Sequence, residues 1–594
     1  ATLSKLDTPH VANLTTAQVA ALTTDQAKAL TASQLTDMTA NQLNVMSADQ
    51  LMQLSGSQLA GIETVDLATM STEQVQSFAA ASMSGLTTSQ INNLTTAQLS
   101  ALTTDQFQRL TTQQVVALSA TQAPKISAAQ VTAMSTAQIA AIEEGDLQLL
   151  HGDAIEAMSA AQVKALTVAQ IDNLTPSQMR RLGTDQFAAI GTDRIAVLTS
   201  DQLAAVTTAQ AQAMSAAQVT ALTSLQVPKL SASAIGAMNS VQAKSIDSRA
   251  IALMSTAQIR ALSSDSIAAM STAQIGELTT DQVEALTTDQ VRAMTAADIT
   301  KLSGAQISHL GTAQVASLSA VQAAAIDSAD LNSMTTDQVQ AFSNAAIAGM
   351  SDANQIAKLD ATRLGALTSD QLKAFTVAQA TALTSTQTPN LSSTQIAGLG
   401  TAQIAGMGSV ALSKLTSTAI GGLTSGQVKA MTTAQLKELG SDQIKSLASE
   451  GVALLTSAQI NAIDTADLIQ MTSGQIQSIN TTALAALTSD AVFAKLTSTQ
   501  IGMLTANQVK ALSSDQLKAL DANQVKSLSS DGVALIDAAH IVGIDSADIA
   551  TMSTAQVSAI NTSALAAMNT AQVSKLTSDQ IISLSTAQAK ALLL

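Results

Sequence analysis

Large apolar residues recur every eight positions along this chain. Leu14, Leu22, Leu30, Met38, Met46, Leu54, Ile62 and Met70 open a series that runs to Leu592. Counted from Leu6 there are 73 complete units, all of eight residues except two of nine that begin at Met350 and Leu487. No single uninterrupted element suits this period. Eight residues of α-helix turn through about 800°, so the apolar positions would drift by roughly 80° per unit and never form a stripe. A half-buried strand would alternate with a period of two. Each unit must therefore break and restart.

The consensus Leu-Thr-x-x-Gln-Val-x-Ala shows where. Position two is Thr, Ser, Asp, Asn or Gly in 68 of the 73 units, the preference of a helix N-cap. Gln follows three residues later in about two thirds of units, which completes a capping box. Positions one and six then fall at N′ and N4, the partners of a hydrophobic staple, and both are apolar with Thr388 as the exception at position six. Pro176 stands directly after Thr175, at the first helical position, where its missing N–H costs nothing. The helix starts after position two, runs about one and a half turns and ends in a corner. Pro124, Pro228 and Pro389 fall at position seven, inside that helix, and predict either a shortened helix or a bend.

One such helix buries too little to stand alone, so the units must stack and draw their stability from neighbours. The expected architecture is all-α: a single continuous solenoid over residues 1–594, with positions one and six as its apolar spine and positions three, four and seven facing solvent. A β-solenoid is the alternative, since Thr, Val and Ile favour strands. Against it stand the Ala, Gln, Leu and Met content and the five-then-three spacing of apolar residues.

Composition narrows the class. Aromatics make up 1% of the chain, with no Trp or Tyr, yet the hydrophobic share is 46%; this is neither an ordinary globular core nor a disordered acidic chain. The net charge of −16 disfavours nucleic acid and anionic membranes as partners. Thr, Ser or Gln interrupts every apolar run, so no membrane insertion is expected. The absence of cysteine removes disulfides and thiolate metal sites. Residues Ala1 to Lys5 lack a signal-peptide pattern, which places any export address outside this sequence.

Departures from the consensus recur at longer range. Acidic pairs occupy positions two and five at Glu63/Asp66, Glu143/Asp146, Asp327/Asp330, Asp464/Asp467 and Asp545/Asp548. Ser or Ala replaces the glutamine two units later at Ser82, Ala346, Ala483 and Ala564. Ile62 and Ile142 stand ten units apart, as do Ile246 and Ile326 and, across one of the longer units, Ile463 and Ile544. Degenerate super-repeats of about ten units follow, read as marks of duplication rather than of a structural period.

Catalysis needs unlike groups converging in a pocket, and the pattern offers none. His10, His151, His309 and His540 are scattered without metal-ligand spacing; His10 and His540 take the place of the box glutamine. No phosphate loop, dinucleotide fingerprint or nucleophile elbow occurs, and position-two hydroxyls are committed to capping. No enzyme, cofactor or catalytic residue is expected. The acidic pairs are the best remaining site. Caps at a helix N-terminus explain them, and Asp327, Asp330, Asp464, Asp467, Asp545 and Asp548 are also candidate calcium ligands, although two side chains fall short of the six to eight oxygens calcium takes. Asn13, Asn93 and Asn173 each begin an Asn-Leu-Thr sequon that the repeat register itself produces.

With units such as Leu94-Thr95-Thr96-Ala97-Gln98-Leu99-Ser100-Ala101 in view, the chain resembles the tandem-octapeptide regions of very large bacterial surface and secreted proteins, often labelled adhesin-like. The resemblance spans the whole chain. It implies an extracellular or cell-surface, non-catalytic, length-giving role, and it provides no binding residues. A rod, filament or surface-layer array, self-associating or continuing a longer chain, is the expected function. A solenoid scaffold holding a peptide, surface glycan or ion is the alternative.

Everything in this frame depends on the capping box. Replacing one cap, such as Thr279→Ala, should cost about 0.5–2 kcal/mol locally and leave the array assembled. Replacing the caps of ten consecutive units should open a protease-sensitive gap, because neighbouring units then fail together. Limited proteolysis checks this, and a tenfold variant as resistant as the parent would show the register to be wrong.

Overall fold

The computed structural model describes residues 5–488 and 492–593. Among these residues every regular element is a helix of three to six residues and no strand occurs, which excludes the β-solenoid. None of these helices is long and apolar enough to cross a membrane.

The frame is the expected one. Thr279 is extended (φ −75°, ψ 163°), the helix runs Thr280–Ala285, and Leu286 leaves it at φ −56°, ψ 142°. Thr287, at φ −74°, ψ 158°, caps the next helix, Thr288–Ala293. Two extended residues in succession thus make each corner. No described residue has positive φ and none follows a cis peptide bond, so the corner needs no left-handed glycine. Ordinary residues such as Leu-Thr can serve there. Gln282 Oε1 accepts from the Thr279 N–H at 2.8 Å, and Thr279 Oγ1 accepts from the Gln282 N–H at 3.2 Å. The Thr287–Gln290 box repeats both distances.

The chain divides into two compact halves, Ala1–Met294 and Thr295–Leu594, and each is built by the same stacking. In the first, Thr104–Gln108 packs on Ala128–Ala133 and Thr136–Ala140 on Ala160–Ala165. In the second, Ala320–Ala324 packs on Asn344–Gly349 and Ser498–Gly502 on Ala522–Ser527. Partners in all four pairs are three units apart, so within each half the chain returns over itself about every three units. Position six fills the interior: Val283, Val291 and Ile396 are wholly buried. Position one closes the core beside it, with Leu278 and Leu286 only 3% and 4% exposed.

The position-seven prolines shorten their helices. Each is the second residue of a 3-10 segment, Ala123–Lys125, Val227–Lys229 or Thr388–Asn390. Proline there has no N–H for the carbonyl four residues back and its ring would strike that carbonyl, so the unit tightens to i→i+3 bonding. The glutamine half of its box survives: Gln122 Oε1 still accepts from the Ser119 N–H at 2.8 Å. The nine-residue units end in 3-10 segments too, Ile356–Lys358 and Phe493–Lys495; residues 489–491 of the second lie outside the described residues.

Stacking also explains some of the glycines at position eight, which face position three of the unit three earlier. A Cβ added to Gly349 would stand 2.7 Å from the Ala320 Cβ, and one added to Gly422 would stand 2.6 Å from both the Ser393 Cβ and its carbonyl oxygen. Gly422 has ordinary right-handed backbone (φ −82°, ψ −9°), so by propensity alone Gly422→Ala would stabilise. The close approach reverses the sign: the substitution should destabilise by about 1–3 kcal/mol, seen as faster amide exchange in residues 392–399 and 415–423. Unchanged or slower exchange would mean the turns are free to part.

Candidate functional site

The most constrained chemistry in the molecule is at position five. A glutamine that only served a capping box would lie at the surface. Instead Gln90, Gln98 and Gln282 are 1%, 2% and 2% exposed. Their Oε1 atoms close the box while their Nε2 groups reach the neighbouring turn. Gln90 Nε2 donates to the carbonyls of Leu59 at 2.7 Å and Ile62 at 2.6 Å, 31 and 28 residues earlier. Gln282 does the same to Ile251 and Met254 at 2.7 and 2.6 Å. In the second half, Gln427 donates to Ile396 and Leu399 at 2.8 and 2.6 Å. After a nine-residue unit the spacing becomes 32 and 29, yet Gln508 still reaches Ile476 and Ile479, both at 2.8 Å.

The acceptors explain why. They are position-six and position-one carbonyls at the end of a short helix. The position-six carbonyl already accepts the N–H of the position-one residue that follows, as Leu59 O does from Ile62 at 3.1 Å, and the glutamine is its second donor. The position-one carbonyl, buried in the corner beyond the helix, needs a donor, and the amide of the next turn provides it. Other residues at position five do the same. Ser82 Oγ donates to Leu54 O at 2.7 Å, and Arg194 Nε and Arg363 Nε donate to Leu166 O and Met334 O at 2.6 and 3.0 Å. At two of the units with alanine at position five, Ala483 and Ala564, the cap residue substitutes: Asn480 and Asn561 Nδ2 donate to Leu455 O and Ile536 O at 2.8 and 2.7 Å. Those two are the position-one carbonyls that a glutamine in place of Ala483 or Ala564 would reach.

The sequence reading missed this second role of glutamine, although a signal was present. A capping box accepts Glu as readily as Gln, yet no unit carries Glu at position five. An acceptor-only side chain fits the box and fails the ladder.

The residues singled out as possible sites do not converge. His10 and His540 pair with their own cap residues, Asp7 and Asp537, the latter at 2.6 Å. These bonds hold the carboxyls of Asp7 and Asp537 below the usual carboxylate range. His151 Nδ1 accepts from the Asp153 N–H at 3.4 Å, and His309 Nδ1 bonds the Ala305 carbonyl at 2.7 Å. Of the acidic pairs, Asp327, Asp464 and Asp545 accept N–H groups of their own helices at 2.8, 3.1 and 3.1 Å, as caps do. Asp330 and Asp548 are pushed up, first by burial and then by the neighbouring carboxylates. Among the described residues no group of three or more His, Asp or Glu side chains gathers as a metal ion would require. One groove, open to solvent, is lined by Ile142, Glu143, Glu144, Gly145, Thr167 and Gln170, without a nucleophile and base together.

Short capped helices stacked turn on turn and tied by buried side-chain amides define an all-α tandem-repeat solenoid. A family model described as the ALTTAQ repeat matches eight segments of the chain, residues 59–96, 139–176, 244–280, 267–296, 283–320, 396–433, 493–530 and 541–578. The chain is similar to that family along these segments and is a tandem-repeat protein. No curated protein matches it.

Gln90→Glu separates the two roles of position five. The glutamate keeps the acceptor for the Thr87 N–H, now 2.8 Å from Gln90 Oε1, but cannot donate to Leu59 and Ile62 when ionised. It should cost about 1–3 kcal/mol at neutral pH, read as local loss of amide protection. Protection equal to the parent's would reduce the glutamine to a cap.

Proposed function

We propose that this chain is a non-catalytic structural array acting outside the cell, as a rod, filament or surface-layer/adhesive component that associates with its own kind or continues a longer chain. The inter-turn glutamine ladder carries this reading. It repeats in both halves, tolerates proline and inserted residues, and joins turn to turn chiefly through the position-one carbonyl, with a position-six or position-seven carbonyl beside it. Such a scaffold gains length by adding turns without changing its cross-section. Two further features support a structural role: the ionisable side chains are dispersed, and Ser and Thr hydroxyls are used as caps.

Length is the property to measure. Deleting six consecutive units, two turns, should remove about 16–20 Å from the maximum dimension in small-angle scattering, given helix spacings of 8–10 Å. Secondary structure per residue should stay constant. A maximum dimension that ignores the deletion, or recovery of a single stoichiometric ligand with the purified chain, would sink the structural reading.

A further inference from the structure

The acidic pairs interrupt the ladder in a specific way. Asp66 and Asp146 stand at position five, where glutamine, serine and arginine donate to a position-one carbonyl of the turn below; for these two it is the carbonyl of Met38 and of Leu118. An ionised carboxylate can only accept. Nothing else compensates. The caps Glu63 and Glu143 make no side-chain capping bond and carry no donor, unlike Asn480 and Asn561. Two other aspartates at position five have donors of their own. Asp467 accepts from the Ser441 hydroxyl at 2.6 Å, at position three of a unit in the turn below. Asp298 accepts from the Thr295 N–H and hydroxyl at 2.8 and 2.7 Å. Asp66 and Asp146 have Ala40 and Ala120 at the place of Ser441, and neither carboxylate makes a hydrogen bond among the described residues. Asp146 is nonetheless 7% exposed.

We propose that the turns held by Asp66 and Asp146 are acid-tightened joints: ionised, each carboxylate leaves the turn below without its donor, and protonated, its O–H takes the place of the glutamine amide. The surroundings favour the proton. Burial raises the carboxyl of Asp66, and Glu63 raises it further; burial and Glu143 act likewise on Asp146. The helices packed against Thr64–Leu67 are Ala40–Leu43 and Thr88–Asn93. Neither bears a charge, so among these elements only Glu63 faces Asp66 with one. Against Glu144–Leu149 pack Ala123–Lys125 and Val168–Asp172, which add Lys125 and Asp172 to Glu143 and Glu144 on its own unit. A carboxyl raised in the folded state binds its proton more tightly there than in the unfolded chain. Its contribution is therefore complete below the ordinary carboxylate value of 3.8 and is lost as pH rises through the raised one. These joints loosen toward neutrality while glutamine-held turns do not respond.

Hydrogen exchange on the full chain, expressed as protection factors, tests this. Between about pH 7 and about pH 4, protection over residues 38–46 and 62–70 should rise roughly two- to tenfold relative to the turn held by Gln90, the range set by one hydrogen bond. Asp66→Asn, which carries a permanent donor of the same shape, should show the acid value at both pH values. Ala40→Ser should supply the donor that Ser441 gives Asp467 and flatten the response. Two results would overturn the proposal: an Asp66→Asn chain that responds to pH as the parent does, or protection restored at neutral pH by calcium without any response to acid.

Discussion

One side chain with two ends holds this molecule together. The glutamine at position five accepts a backbone N–H of its own corner through Oε1 and donates through Nε2 to carbonyls of the adjacent turn. Short helices leave a large share of their backbone groups without partners, because four N–H and four C=O groups are orphaned at the ends of any helix, whatever its length. In a helix of five or six residues that is nearly everything. The glutamine answers both ends at once, for two different helices. Among the described residues no buried side-chain nitrogen or oxygen lacks a partner, although the core holds polar side chains in about two thirds of the units.

This arrangement changes what the apolar spine does. Positions one and six provide the non-directional part of the stability, and any stacking that buried them would suit equally well. The amide selects one stacking, because its two acceptors must lie within about 3 Å, and moving the turns by one residue would lose both. Position eight adds a local contact. Where it is glycine the turns come closest, as Gly422 against Ser393 illustrates, whereas a larger residue such as Leu149 stands exposed there. Stability then resides in interfaces between successive turns, which is how repeat arrays behave.

Tolerance follows from the same geometry. Gln122 keeps its donor bonds to Ile91 and Leu94, at 2.9 and 2.7 Å, despite Pro124 in its unit. Gln355 keeps its bonds to Ala323 and Ile326, at 2.9 and 2.7 Å, despite the extra residue of the unit begun by Met350. A three-carbon reach absorbs local irregularity, and a loss of helix within one unit does not propagate. The units that lack the amide are where function beyond length has room to arise. Asn480 and Asn561 repair the gap, and Asp66 and Asp146 leave it open.

The helix, its frame and its core are written in the chain alone. A period of eight, a cap at position two, Gln three residues later and apolar residues at positions one and six are local signals, and each acts within a single unit. Leu278, Thr279, Gln282 and Val283 could therefore be assigned without any knowledge of neighbours. Stacking settled the rest: that three units make a turn, that Gly422 at position eight meets Ser393, and that Gln90 looks back to Leu59 and Ile62. Those facts depend on which backbone lies across from which, and a uniform repeat offers the same residues at every distance, so no spacing in the sequence distinguishes one partner from another. The single trace left in the sequence was the missing glutamate at position five. It becomes interpretable only once the carbonyls of Leu59 and Ile62 are seen facing that side chain, because the capping box alone makes no distinction between an amide and an acid.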